Sequence, residues 1–498
     1  MSTSSSHGLQ DLKRLADSLQ QARVDRRALL RGTAGAAGAL ALPASHAAAA
    51  PARVPLGNLV LAQGLAAGTA LVTSLRLPLP GIAENQAAPL LQGDITNWSE
   101  VGAPLPLPVT IFVIDGYLPQ GVTPAETVAD YDALAEKLDQ VPGGLAMVPT
   151  DMIDPRVNTL DFDGVSPLFA LHSEETPVTK IGVAGDIIFG RHGGNYQRKY
   201  GDYTFPMHQV KDFMATFDLT ISNFECFVSE TIEPPELTNP STLEFVTVPD
   251  SLQGMVMAGI DSVTMANNHA YYPFGEAAMN DTIMYLNEAG IPPWGVGSDL
   301  DQARAPWTTE INGVSIACYG VDAVTANVDY PGSWSLESDS AATPSKGGTN
   351  PLVMDNILAD IEALAGQYDI VLPYMHAGEQ YVWTPREWLV DVSRQIIDAG
   401  ASAMLTSHPH ATMGMEIYNG KPIFYSIGNF VYDQMFSLET REGYFVDLTF
   451  RGNTCIGLCL HPIEIVDFVQ PRFMGPREKA GFNDRFWRSV DLTRAQLG

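Results

Sequence analysis

The sequence predicts an α/β fold of mostly parallel sheet layers covered by helices, preceded by a smaller N-terminal α/β lobe. Three observations predict it. Strand-like and helix-like segments alternate from Val178 to Thr406, the order that builds parallel sheets with helical cover. Five of the strand-like runs finish in Asp, Asn, Glu or His, at the carboxyl edge where open α/β sheets keep their ligands. The chain has 498 residues, 45% of them hydrophobic, enough for two or three domains with sizeable cores.

Residues 1–50 differ in composition from the rest. A polar stretch leads to Arg26-Arg27-Ala28-Leu29-Leu30-Arg31, and the Ala, Gly and Leu run from Gly32 to Leu42 follows. That run is too short to span a bilayer but suits a signal-peptide core, and Ser45-His46-Ala47 with the alanines after it offers small side chains for cleavage. The paired arginines resemble a twin-arginine export signal. A mature protein beginning near residue 50 and working outside the cytoplasm, in the periplasm, at the cell surface or secreted, is therefore expected. No later stretch reaches the about 18 apolar residues of a membrane helix, so no membrane span is expected in the mature chain.

Residues 55–170 alternate short apolar runs with Pro and Gly. The polar His172-Ser173-Glu174-Glu175-Thr176-Pro177 then marks a boundary before the strand Val178 to Ala184. Strands are predicted next at Leu219 to Asn223, Ser262 to Ala266, Val314 to Tyr319, Ile370 to Met375 and Ala403 to Thr406. Helices are predicted around Phe205 to Phe217, from Pro249, from Tyr272, over Pro351 to Ala365 and over Pro385 to Ala399. Pro422 to Ile427, Tyr444 to Phe450 and Cys455 to Leu460 read as hairpin-like strands closing this domain at about residue 465, with 466–498 set apart as a C-terminal extension.

Charge narrows the function. With 28 Lys and Arg against 57 Asp and Glu, the formal charge is −29. Such a chain lacks the basic surface of a non-specific nucleic-acid binder, and no nucleic-acid partner is expected. Four cysteines, Cys226, Cys318, Cys455 and Cys459, show no zinc-knuckle spacing and read as free thiols of the core.

In the first lobe, Leu91-Gln92-Gly93-Asp94-Ile95-Thr96-Asn97-Trp98 resembles the "G-x-I-x-N-W" segment of phosphate-type periplasmic solute-binding proteins. Gly143 to Pro149 and Val157 to Val165 resemble two later strands of that family. The resemblance covers about one lobe, residues 55–168, and implies a partial ligand-binding or packing module.

Chemistry is concentrated in the second domain, at five strand ends: Gly185-Asp186, Asn223-Phe224-Glu225, Asn267-Asn268-His269, His376-Ala377-Gly378-Glu379 and His408-Pro409-His410. Each alone reads as a helix cap or a satisfied core residue; together they read as one site. Pro409 limits the backbone between two imidazoles, so two nitrogen ligands come with little ordering entropy. Carboxylate, amide oxygen and imidazole suit Mn, Zn or Fe.

These stretches occur in the order of the CapA family of poly-γ-glutamate capsule synthesis proteins, whose fold is similar to calcineurin-like metallophosphoesterases. Gly185-Asp186-Ile187-Ile188-Phe189-Gly190-Arg191 resembles its "G-D-I-M-L-G-R", and Asp218 to Glu225 its "D-x-x-x-x-N-L-E". Ala266-Asn267-Asn268-His269, His376 to Tyr381, Ser407 to His410 and Tyr425-Ser426-Ile427-Gly428-Asn429-Phe430 resemble "A-N-N-H", "H-W-G-x-E-Y", "x-H-P-H" and "Y-S-L-G-N-F". The resemblance spans residues 178 to about 465. It implies that Asp186, Glu225, Asn268, His376, His408 and His410 surround one or two divalent ions. It further implies that His269 is a general acid, and Arg191 is placed to steady an anionic group. Asn223, Asn267, Glu379, Tyr425 and Asn429 are expected to line the pocket. Where ordinary metallophosphoesterases carry Asp-x-His, Ile188 stands in the third position, so one metal position has fewer ligands.

The expected function is an exported metal-dependent hydrolase acting on, or retaining, an anionic γ-glutamyl polymer in capsule synthesis. A phosphoesterase acting on phosphate esters, and a non-catalytic surface protein that holds the polymer or a capsule synthase partner, are the alternatives.

Overall fold

The computed structural model describes residues 68–497 apart from 120, 174, 233–242 and 328–339. The twin-arginine segment lies outside the described residues.

Two sheets stand face to face in the larger part of the molecule. The first runs in the order Pro293–Trp294, Ser262–Thr264, Leu219–Phe224, Val178–Ile187, Glu442–Arg451, Thr454–Val466, Gln470–Phe473, and Asn429–Val431 also pairs with Val178–Ile187. Val178–Ile187, Leu219–Phe224 and Ser262–Thr264 are mutually parallel, whereas Glu442–Arg451 joins antiparallel and hairpins into Thr454–Val466. In the second sheet Val314–Asn327, Ile370–His376 and Leu405–Ser407 are parallel, with Trp307–Ile311 antiparallel at the edge.

Strand alternation decides what lies between and outside the sheets. Ile181, Val183, Leu219 and Ile221 of the first sheet meet Ile316, Cys318, Ile370 and Leu372 of the second in one buried core. On the outer face of the first sheet, Met255, Met279 and Leu286 of the helices Gln253–Ala258 and Gly275–Glu288 cover Ile187 and Phe224. The helices Met354–Ala365 and Glu387–Asp398 place Ile357, Ile361, Leu389 and Ile396 over the second sheet. The order of layers is helix, sheet, sheet, helix, an α/β architecture of layered sheets as predicted from the alternation.

Local differences have physical reasons. The expected helix around Phe205 to Phe217 is a short 3-10 segment, Phe205–Met207, and one helical turn, Lys211–Met214; Pro206 and the aromatic residues favour packing into the outer core over a continuous helix. A helix, Arg191–Tyr200, forms where none is expected. Its Gly193 and Gly194 lower helix propensity, but a side chain at Gly194 would meet the Phe189 carbonyl at 2.7 Å. Of the three closing strands, the last two form the hairpin; Lys421–Phe424 pairs instead with Met415–Tyr418.

The first lobe is a five-stranded sheet in the order Glu126–Val128, Thr110–Ile114, Gly144–Pro149, Thr69–Thr73, Asn158–Thr159, with apolar clusters on both faces. It is tied to the C-terminal helix, Pro476–Leu497, which buries Phe482, Phe486, Trp487 and Val490 in the core between the sheets. Arg76 of the lobe pairs with Asp491 at 2.6 Å and lies 4.8 Å over the Trp487 ring. All four cysteines are free, three of them buried, as expected. Among the described residues no helix is long and apolar enough to cross a membrane.

Candidate metal centre

The parallel strands of both sheets end on the same edge, and register fixes what meets there. Asp186 pairs with Asn223, Thr264 with Asn223, and His376 with Ser407. Asn429, from the strand on the other side of Val178–Ile187, pairs with Asp186. Close strand approach depends on Gly185, where a Cβ would lie 1.9 Å from the Gly428 carbonyl oxygen, the same oxygen that accepts from the Asp186 N–H at 3.1 Å. Gly185→Ala is expected to push these strands apart, destabilising the fold by about 3 kcal/mol or more, the upper end for overpacking, and to lower metal retention. Denaturant midpoint and elemental analysis of the variant check both effects.

All six expected ligands are buried, and two groups form. In the first, Asp186, Glu225 and His410 each offer an atom within 4.8 Å of the others. In the second, Nε2 of His376 lies 2.7 Å from Glu225 Oε1, 2.8 Å from Asn268 Oδ1 and 3.1 Å from His408 Nδ1. Glu225 belongs to both.

One imidazole N–H cannot satisfy three acceptors at once, and neither Glu225 oxygen has a well-formed hydrogen bond despite the 2.7 Å approach of His376. A carboxylate without a well-formed hydrogen bond, in the same water-excluded group as the Asp186 carboxylate, is unfavourable unless a cation compensates. The ordinary ionisation is distorted accordingly. Burial raises Asp186, with the Glu225 charge adding to it. Burial opposes ionisation of Glu225 and His376 as well, but their mutual attraction wins, lowering Glu225 and raising His376. Burial pushes His410 down to about 4 and His408 well below the usual imidazole range, leaving their nitrogens as lone-pair donors. Two carboxylates, an amide oxygen and three imidazoles fit a divalent ion of the Mn, Zn or Fe type, and this buried group could hold one.

Outer partners orient the ligands. Asn223 Nδ2 donates to Asp186 Oδ1 at 2.8 Å, and Asn267 Nδ2 holds Asn223 Oδ1 at 3.0 Å. Asn429 Nδ2 donates to the Thr440 carbonyl at 2.9 Å, which turns Oδ1 toward His410 Nδ1 at 2.9 Å. The same nitrogen lies 3.6 Å from Asp186 Oδ2, so Asn429 sets the orientation of the His410 ring beside Asp186. His408 and His410 have φ of 111° and 54° on either side of Pro409. Positive φ at such residues costs about 1–3 kcal/mol each and persists only where the surroundings enforce it.

His269 packs on Phe245 at 4.2 Å between ring centroids, with Nδ1 unpartnered. Burial pushes its pKa down to about 3. The matching family description, "Bacterial capsule synthesis protein PGA_cap", covers residues 180–434, just over half of the chain. The chain belongs to this family. It is 26% identical over 309 residues to "Capsule biosynthesis protein CapA" of Bacillus anthracis, spanning 61% of this chain and 71% of that relative. It is also 27% identical over 294 residues to "PGA biosynthesis protein CapA" of Bacillus subtilis, spanning 58% and 72%. Among solved structures, the calcineurin-like phosphoesterase YfkN from Bacillus subtilis overlaps 64% of this chain and 99% of its own at 12% identity and a TM-score of 0.36. An ABC-type phosphate transport receptor from Vibrio cholerae overlaps 22% of this chain and 49% of its own at 17% identity and a TM-score of 0.19. At such scores these two likenesses carry no argument.

In this PGA_cap chain two expected pocket residues sit elsewhere. The Tyr425 hydroxyl donates to Glu416 and the ring packs in the outer core with Ile423 and Met404, because strand alternation turns it away from the ligand edge. Glu379 is half exposed and bonded to Arg386. Arg191 is at the site's border, but its guanidinium pairs with Asp433 and lies 4.5 Å over Phe245 and 5.7 Å over Tyr432. Asp433, Tyr432 and Phe245 were not legible as site residues; Asp433 follows the Tyr425 to Val431 run by two positions, and only the fold shows that it meets Arg191. Ile188 is buried in the outer core, pointing away from the ligands.

Proposed function

We propose that this protein is an exported, metal-dependent hydrolase that acts on γ-glutamyl polymer in capsule synthesis. The observation that carries the reading is the convergence of Glu225, Asn268 and His408 atoms on His376 Nε2 within 2.7–3.1 Å, in a family of capsule synthesis proteins. A divalent ion bound there would supply a Lewis acid and lower the pKa of a water molecule. The chain's own residues do the rest. Asn223 and Asn429 hold Asp186 and His410 in orientation, and the buried edge of the two sheets keeps bulk water away. His269 presents its unpartnered Nδ1 and, protonated from solvent as the anionic substrate binds, gives that proton to the leaving amine nitrogen as the C–N bond breaks. Burial opposes that protonation, so the negative charge of the substrate is the countercharge that makes it favourable. Arg191, neutralised by Asp433, fixes the loop beside His192, whose N–H donates to Asp433 at 3.0 Å. The paired arginines at residues 26–27 support export by the twin-arginine route.

Incubating the mature protein, loaded with Mn, Zn or Fe, with γ-glutamyl oligomers and chromogenic phosphate esters tests this. Metal-dependent cleavage of the oligomers is expected. Cleavage of phosphate esters alone would move the activity to the phosphoesterase reading. Bound metal with no cleavage of either would favour a protein that holds polymer or a synthase without hydrolysis, a reading that Ile188, an apolar residue in place of a metal ligand, supports.

A further inference from the structure

Beside the metal centre stand two exposed aromatic side chains that the proposed chemistry does not use. Phe436 is 67% exposed and Tyr381 43%, and their rings meet edge to face at 5.4 Å and 81°. The Tyr381 ring is 6.2 Å from that of His410, so the pair adjoins the ligands.

Tyr381 is held there by the backbone. Its N–H donates to the Pro409 carbonyl at 2.8 Å, clamping its loop to the segment between the two histidines, and φ is 64° at Tyr381 and 111° at Gly378. A non-glycine residue such as Tyr381 held at positive φ is enforced by its surroundings. Its hydroxyl is oriented too. Asn429 Nδ2 donates to Gln434 Oε1 at 3.4 Å, and Gln434 Nε2 donates to Tyr381 Oη at 3.1 Å. The phenol oxygen thus accepts from Gln434, while its own O–H has no acceptor among the described residues.

An oriented donor next to an exposed ring matches a repeating unit that has both a carboxylate and a short methylene stem. It also answers an electrostatic difficulty. A chain of charge −29 whose Arg191 is already paired with Asp433 gains little from long-range attraction for an anionic polymer.

We propose that Tyr381 and Phe436 form the entrance wall that holds the γ-glutamyl unit adjoining the one at the metal centre, the Tyr381 O–H donating to its carboxylate and the Phe436 ring packing on its methylenes. This rests on the polymer reading above and names a subsite of the same site.

The test uses the mature full chain, with and without manganese, and follows binding of a long fluorescent γ-glutamyl oligomer and of a single fluorescently labelled glutamate by anisotropy. Tyr381→Phe and Phe436→Ala are each expected to weaken oligomer binding about tenfold, the worth of one hydrogen bond or a few buried methylenes, with metal content and binding of the single glutamate unchanged. Leu492→Ala, an exposed change on the C-terminal helix, should behave as the parent. Oligomer affinity equal to the parent's in both wall variants overturns the wall alone. Binding that depends on the wall without any hydrolysis upholds the wall and removes the hydrolase reading. Failure of the parent protein to bind the oligomer overturns both.

Discussion

With His408 and His410 both replaced by alanine, the purified protein is expected to lose its divalent metal, its affinity falling by more than about 100-fold. Loss of an outer partner to a metal ligand typically costs 10–100-fold, and here a ligand is lost from each of the two groups around Glu225. His410 closes the group with Asp186 and Glu225, and His408 closes the one on His376. Hydrolysis should disappear with the metal. Because both positions have positive φ, His408→Asn with His410→Asn is the companion variant: Asn tolerates such a backbone better than alanine. Circular dichroism matching the parent, together with metal loss in both double variants, separates ligation from folding. Metal retained at the parent's level in both would remove the two histidines from the centre.

Phe486→Ala is expected to lower the stability of the whole chain by about 3–5 kcal/mol, the usual result of emptying a large aromatic site in a packed core. Phe486 is 2% exposed and meets Tyr444, Phe482 and Trp487 at ring separations of 5.4–5.8 Å. The C-terminal helix also holds two loops beside the candidate centre: Ser489 Oγ accepts from the Gly414 N–H at 2.8 Å and donates to the Trp383 carbonyl. Those two loops follow the strands that end in the histidine ligands, so the helix props the site as well as filling the core. Urea unfolding checks this, with Leu492→Ala on the exposed face of the same helix expected within about 0.5 kcal/mol of the parent. Equal midpoints for Phe486→Ala and the parent would show that the helix is dispensable to the core.

What the sequence could and could not convey follows from the range of each interaction. Strand ends such as Gly185-Asp186 and His408-Pro409-His410 were legible because a buried apolar run stopping at a polar residue is a local pattern. So was the α/β layering, which alternation alone dictates. Glu379 and Tyr425 were misplaced because a motif fixes residue types and not the direction of a side chain; Tyr425 lies on the outward face of its segment, and Glu379 meets Arg386 in a loop. The Arg191–Asp433 pair joins positions 242 residues apart, and no local pattern announces it. Pro476–Leu497 is amphipathic over a long span, yet its role in the core depends on Tyr444 and Met415 from distant strands.

Metal-edge anomalous diffraction from crystals of the manganese- or zinc-loaded protein tests the central claim most directly. The account predicts a peak at ligand distance, about 2.0–2.3 Å for such donors, from Glu225 and from at least two of Asp186, Asn268, His376, His408 and His410. A loaded crystal with no peak among these side chains, or with its metal bound only at surface carboxylates, would contradict it.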